Sequence, residues 1–369
     1  MIAGIDTHKD TLAVAVIDAA GRLLVQRDLP NSEPGFVALA DLLDSHDVIR
    51  VGIEGSGSFG RAAAIHLVLT WLPDRVVSVV EVPTLMTAHE RRAQNKGKTD
   101  PVDSLAIARI TAREPQLPPV RLTVGPAADL RAVLDYRGDL IDERTALVNR
   151  VHADLGGIRP GYQHHITHLS TRTRIYQALD LLRDDASIRA TVCRRRLERV
   201  LDIDNETAAL KRQLATMVEA TNTTLTDMYG IGPVIAARLI AEVVDPRRYP
   251  NRNTFAAANG TAPIPASSGR TTRHRYNPGG NRQLNRALYT IAITQIRTDS
   301  EAKAYYQRKR SEGKTGREAL RCLKRRLSDI VYKTMLADWR AANHGTTTIH
   351  PTARAAVDAT AADEARLTA

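Results

Sequence analysis

Three short apolar runs joined by tight turns open this chain, and no other feature of it restricts the fold so strongly. Residues 2–6, 11–17 and 23–29 each read as a strand, being rich in Ile, Val, Leu and Ala, with a turn at Ala20-Gly21 before the third. Connections that short make antiparallel hairpins, because a parallel partner needs a crossover of about a dozen residues or more. The pattern then changes. Ser32-Glu33-Pro34 opens a helix with Phe36, Leu39, Leu42 and Leu43 on one face, Ser being a favoured N-cap and Pro being tolerated in a first turn. A fourth strand is expected over residues 48–54, a helix over 60–72 and a fifth strand over 76–82. A further helix starts at Pro101 and carries Asp103, Leu105 and Ile107.

Three antiparallel strands followed by alternating helices and strands is the order of the RNase H-like fold, expected here for residues 1–115. Pro115, Pro118, Pro119 and Pro126 cannot continue a helix and mark a linker. Helical spacing returns over residues 127–155, with Leu130, Val133, Leu134, Leu140, Leu147 and Val151, and again over 203–221, with Leu210, Leu214 and Met217. Two long amphipathic helices within 125–222 suggest a helical hairpin or coiled-coil arm; a plain helical subdomain fits the pattern as well. A third, mainly helical region is expected over 223–345. In it Gly230-Ile231-Gly232 precedes a helix starting at Pro233, which reads as a helix-hairpin-helix whose glycines let backbone N–H groups approach a phosphate. A Gly-mediated turn between packed helices is the plainer reading. The Ala- and Thr-rich tail over 346–369 has no apolar period and is expected to be disordered.

Charge is divided unevenly along the chain. The net charge is +11, which favours a polyanionic partner. Residues 1–110 carry 11 Lys+Arg against 14 Asp+Glu, net −3, whereas residues 251–340 carry 19 against 6, net +13. Nucleic-acid affinity and metal chemistry are therefore expected in different segments. Cys193 and Cys322 cannot form a disulfide framework and sit in no CxxC or Cys/His cluster. With no signal-like N-terminus and no apolar run long enough for a bilayer, the expectation is a reduced, cytoplasmic setting without a membrane partner.

Four carboxylates stand at positions where chemistry is done. Asp6 ends the first strand, Glu54 ends the fourth, and Asp100 and Asp103 lie at i and i+3 at the start of a helix. In an RNase H-like sheet the first and fourth strands are neighbours and the helix runs across them, so the four would converge. Unpaired they would repel, and hard oxygen donors of this kind suit Mg2+, with Mn2+ as a substitute, for two-cation phosphodiester chemistry. The alternative is that strand-end acids are merely solvated. Lys98, two residues before Asp100, is a candidate phosphate contact. A rival lies beside them: Gly55-Ser56-Gly57-Ser58-Phe59-Gly60 is a literal GxGxxG, with Asp74 beyond it. That fingerprint belongs to the first strand of a parallel unit, not to a fourth strand after hairpins. His164, His165 and His168 lack strong ligand spacing and point to no metal.

A second constellation is Ser267-Ser268-Gly269-Arg270, followed by Arg273, Arg275, Arg282 and Arg286. Alone, Ser-Ser-Gly is a turn. Ringed by arginines, a seryl oxygen could attack a phosphodiester while guanidiniums neutralise the charge that develops.

At this point the chain resembles, over nearly its whole length, the IS-one-ten family of insertion-sequence transposases, also called bridge-RNA-guided recombinases. The resemblance rests on Gly4-Ile5-Asp6-Thr7-His8-Lys9, Glu54-Gly55-Ser56-Gly57, Lys98-Thr99-Asp100-Pro101-Val102-Asp103, the Gly230-Ile231-Gly232 turn, and Ser267-Ser268-Gly269 followed by Gly280-Asn281 and Leu284. It implies a RuvC-like DEDD domain, a coiled-coil arm and a C-terminal transposase domain with a nucleophilic serine, Ser268 here, though the doubled serine leaves Ser267 open. It also implies a noncoding guide RNA pairing with donor and target DNA, and a homo-oligomer, dimer to tetramer, in which one protomer's acids meet another's serine. The chain departs from the family in Asn277-Pro278-Gly279-Gly280, where many members carry Ser-Lys-x-Gly. Two other readings remain: a RuvC-like junction endonuclease, which needs the acids and no serine, and an inactive nucleic-acid-binding protein, which needs neither.

Overall fold

In the computed structural model the described residues are 1–73, 75–93, 99–120, 122–265, 274–275, 277, 279–298 and 300–343. The chain divides into two compact units, residues 1–123 and 124–369.

The first unit is built on a five-stranded sheet. Strands β1 (Ile2–Thr7), β2 (Thr11–Ile17) and β3 (Leu23–Pro30) pair antiparallel in sequence, while β4 (Arg50–Ile53) and β5 (Ser78–Glu81) continue parallel on the other side of β1, giving the order β3-β2-β1-β4-β5. This mixed order is that of an RNase H-like domain. Nearly every residue of β1 and β2 is buried, because both faces of the central strands are covered. On one face helix α1 (Glu33–Ser45), the short α2 (Arg61–His66) and the residue that follows it pack Phe36, Leu39, Leu43, Ala63 and Leu67 against Ile5, Val14, Val51 and Ile53. The segment expected as one helix over 60–72 changes winding part-way: α2 gives way to a π-helical turn over Leu67–Trp71. The other face is covered by α4 (Asp100–Arg113), which buries Ile107 and Ile110 against Val80 and Val82. Helix α3 (Thr84–Ala93), which no sequence signal announced, precedes it.

Two glycines set how close α4 comes. Gly4 and Gly52 are register partners on β1 and β4. A Cβ on Gly4 would lie 2.2 Å from the Ala108 nitrogen and 2.4 Å from the Ser104 carbonyl oxygen, and one on Gly52 would lie 1.8 Å from Thr111 Oγ1. Without side chains at these two positions the helix rests directly on the strands. Its start is tied down by Gln26, whose Nε2 donates to the Pro101 carbonyl at 2.5 Å and to Ser104 Oγ at 3.0 Å.

The second unit is helical. Helices α5 (Pro126–Ile158) and α7 (Ile188–Glu219) run antiparallel, as their cross-links show: Tyr136 with Glu206, Glu143 with Arg199, Arg144 with Asp204 and Asp154 with Arg196. The second long helix thus begins fifteen residues before the expected 203. Arg194-Arg195-Arg196 masks its apolar period, but Cys193, Leu197 and Val200 are fully buried against Val151, Leu155 and the short α6 (Arg172–Leu181). A larger core gathers α8 (Pro233–Val243), α9 (Arg252–Ala258), α10 (Arg282–Arg297) and α12 (Gly316–Asn343) around Phe255, Leu288, Leu327 and Val331, with α11 (Glu301–Ser311) alongside. Between α9 and α10, strands β6 (Ile264–Pro265) and β7 (His274–Arg275) pair antiparallel. Residues 266–273 between them, with Ser267, Ser268, Arg270 and Arg273, lie outside the described residues, as do Lys98, Asp74 and the tail beyond 343.

Candidate functional site

The carboxyl ends of β1 and β4 and the start of α4 meet at one edge of the sheet. Asp6 is the penultimate residue of β1 and is 8% exposed. Pairing of the two strands extends one residue beyond β4, the Glu54 amide donating to the Ile5 carbonyl at 3.0 Å, which sets Glu54 beside Asp6. Thr7 Oγ1 donates to the Glu54 carbonyl at 2.8 Å. On the side chain, Thr87 Oγ1 from α3 donates to Glu54 Oε2 at 2.5 Å, and Thr87 is itself buried. Asp100 and Asp103 both occupy the first turn of α4, whose N-cap is Thr99 and whose second residue is Pro101. Asp103 is buried and Asp100 exposed.

The electrostatics follow from this crowding. Burial pushes the Asp6 carboxyl above its usual range, His8 opposes that rise, and the nearby charges of Glu54, Asp103 and Asp100 add to it. His8 stands between two of the acids, with Nε2 3.2 Å from Asp6 Oδ2 and 3.2 Å from Asp100 Oδ1. One donor atom from each of Asp6, His8 and Asp100 lies within 4.8 Å of the others, close enough to share one cation. Sequence spacing singles out the four acids and not the histidine, although His8 lies two residues past Asp6 on the first tight turn.

Glu81, too, carries no local sequence signal. It ends β5 opposite Ile53, and burial holds its carboxyl above the usual range. Hydrogen bonds from the Ser56 side chain and from the Ser56 and Gly55 amides lower it, while Glu54 raises it further. The Gly55-Ser56-Gly57 loop is therefore gripped by an acid rather than open to a pyrophosphate. Gly55 takes φ +78°, with its Cβ position 2.8 Å from Thr7 Oγ1, so the loop folds back on β1.

In the second unit, Gly230 sits at φ +87° and Gly232 caps α8, which has Pro233 in its first turn. A single 3-10 turn over Leu225–Asp227 precedes them. Arg282 and Arg286 are exposed one helical turn apart on α10 and form no ion pair among the described residues, and exposed Tyr289 continues the same stripe. For Arg275 only the backbone is described, pairing with Ile264. Asn281 caps α10 by accepting from the Gln283 and Leu284 amides at 2.9 and 3.0 Å, and its Nδ2 donates to buried Glu242 at 2.7 Å. His164, His165 and His168 are exposed, and the metal-capable grouping among the described residues does not include them.

A family model for an IS110-type DEDD transposase, described as "Transposase", matches residues 3–160, and one described as "Transposase IS116/IS110/IS902 family" matches residues 222–307. The chain belongs to the IS110 family of transposases. The first matched region of this IS110-family chain contains the four acids, and the second contains the glycine turn, the serine pair and the α10 arginines. Its relatives span it almost end to end. The 44.8 kDa protein of insertion element IS116 from Streptomyces clavuligerus is 27% identical over 91% of this chain and 94% of that protein. The 42 kDa protein of IS900 from Mycobacterium paratuberculosis is 27% identical over 94% of this chain and 98% of its own length. Among solved structures, Thermus thermophilus RuvC aligns with 32% of this chain and 98% of that chain at 18% identity and a TM-score of 0.26; at that score the likeness adds nothing to the topology. Among the described residues no helix is long and apolar enough to cross a membrane.

Proposed function

We propose that this protein is a DNA recombinase that cuts and rejoins strands of an insertion element, with a divalent cation held by Asp6, Glu54, Asp100 and Asp103 and with Ser268 as nucleophile. The observation that carries the reading is the gathering of acids at buried Asp6: Glu54 is its neighbour across the β1–β4 pairing, and Asp6 and Asp100 flank one imidazole. An arrangement that repels itself is kept where a cation binds it, and an all-carboxylate set suits Mg2+, with Mn2+ as a substitute. Bound there, the cation supplies Lewis acidity toward a phosphodiester oxygen.

The chain's own residues do the rest. Asp6 and Asp103 are buried and supply fixed charge, Asp100 faces solvent where a nucleic acid would enter, and Thr87 keeps the Glu54 carboxylate turned. Ser268 Oγ forms a bond to phosphorus, the bridging P–O bond to a deoxyribose oxygen breaks, and that oxygen receives the proton serine gives up. Attack by another strand's hydroxyl reverses the step and restores the serine, so rejoining needs no external energy source. Lys98, Arg270, Arg273, Arg275, Arg282 and Arg286, with the amides around Gly230 and Gly232 read as a helix-hairpin-helix, serve the phosphates. The family resemblance and the basic stretch at 251–340 support a noncoding guide RNA as second partner. The antiparallel α5–α7 pair, read as a coiled-coil arm, supports self-association, so that one protomer's acids serve another's serine.

The test is a denaturing analysis of the reaction in Mg2+. Protein covalently linked to DNA, lost in Ser268→Ala, is the expected result, and Ser267→Ala is expected to weaken the linkage but keep it. Strand cutting without any adduct would replace this reading with the junction endonuclease, which uses the same acids for hydrolysis alone.

A further inference from the structure

The histidine between the acids is better placed to hold a cation than to pair with either of them. His8 sits on the turn between β1 and β2 with its backbone fixed on both sides: its amide donates to the Thr11 carbonyl at 2.9 Å, and its carbonyl accepts from Asn31 Nδ2 at 2.8 Å. Asn31 Nδ2 also donates to the Phe59 carbonyl at 2.9 Å, tying this turn to the segment that follows Glu54. The ring therefore projects from an anchored point. Its Nε2 is buried and lies 3.2 Å from both Asp6 Oδ2 and Asp100 Oδ1, yet it makes a hydrogen bond to neither.

The nitrogen lies equally near two carboxylate oxygens and hydrogen-bonds to neither. That is the arrangement of adjacent donors around one cation: bonds of about 2.1 Å at right angles separate neighbouring donors by about 3.0 Å. An imidazolium paired with a carboxylate would instead align its N–H with an oxygen, since hydrogen bonds weaken steeply off axis.

We propose that His8 is a nitrogen ligand of the divalent cation at this site, sharing it with Asp6 and Asp100, and that it shifts the site's preference from Mg2+ toward Mn2+. The proposal rests on the cation reading of the acidic site. Carboxylates suit both ions, whereas an imidazole nitrogen is held more firmly by Mn2+, a transition ion softer than the hard Mg2+. Asp103, buried in the same first turn of α4, and Glu54, held by Thr87, complete the oxygen donors around it.

The experiment is pulsed electron paramagnetic resonance of the full-length protein loaded with one equivalent of Mn2+, together with Mn2+ titrations of wild type, His8→Ala and Asp6→Asn. The wild type is expected to show nitrogen modulation from a directly bound imidazole, which His8→Ala lacks. His8→Ala is expected to bind Mn2+ about tenfold more weakly, with a smaller loss for Mg2+ measured by competition. Bound Mn2+ without nitrogen modulation in the wild type overturns the proposal and needs no variant to fold. Unchanged or tighter Mn2+ binding by His8→Ala, with its melting curve intact, also overturns it and makes His8 a counter-ion that cations displace. Mn2+ binding that is absent, or indifferent to Asp6→Asn, overturns the cation reading itself.

Discussion

Asp6 concentrates the electrostatic strain of the first unit. Its folded carboxyl holds its proton more tightly than an exposed one, so the sign of the stability effect is determined. Below the unfolded pKa both states are protonated and nothing is lost. As pH rises above that value the unfolded chain releases its proton first and stability falls, and the full cost is present once the pH has passed the folded pKa as well. Asp6→Asn is therefore expected to melt higher than wild type at pH 7 in a chelator, to lose that advantage near pH 3, and to abolish strand cutting in Mg2+. Equal melting at both pH values would contradict the strain, and retained cutting would remove Asp6 from the reaction. Cysteine gives a second residue-level expectation. Burial pushes the Cys193 thiol up to about 11, so at pH 8 a thiol reagent should modify Cys322, which is partly exposed, and reach Cys193 only after denaturation.

At the scale of elements, the site depends on how α4 meets the sheet. Gly4→Val would drive a side chain into the α4 backbone at Ala108 and Ser104, and the misfit is expected to cost about 3 kcal/mol in denaturant melts. Its effect on cutting should exceed its effect on folding, since a displaced α4 carries Asp100 and Asp103 away from Asp6. In the second unit, Asn281→Ala removes the α10 cap and strips buried Glu242 of one donor, an expected loss of about 1–2 kcal/mol read the same way. The elements themselves were unevenly legible. The three hairpin strands, the parallel pair and the start of α4 could be read from apolar runs and from Ser, Thr and Pro at helix starts, all of them local signals. Helix α3 and the first half of α7 could not. The polar run His89-Glu90-Arg91-Arg92 and the arginine run at 194–196 hide the period that packing later supplies.

For the whole molecule, charge partition is the leading variable. The stretch 251–340 carries net +13 and residues 1–110 net −3, and the chain divides at 123/124. Residues 124–369 expressed alone should bind DNA with a log affinity that falls steeply against log salt, with a slope of about −5 or steeper, while residues 1–123 alone should bind weakly. A first unit that bound equally tightly, with the same salt slope, would refute the division of labour.

Local chemistry in the chain was enough to indicate an RNase H-like start, helical regions beyond it and four acids at the ends of elements, because strand alternation, helix caps and turn residues act over a few positions. Convergence is not a local property. That Asp6 and Asp100 flank the same imidazole, that Thr87 fastens Glu54, and that Glu81 grips the glycine loop depend on separations of about 30 to 90 residues being closed by sheet order and by α4 resting on two bare glycines. A periodicity records which face of an element is buried; only packing decides which neighbour it is buried against.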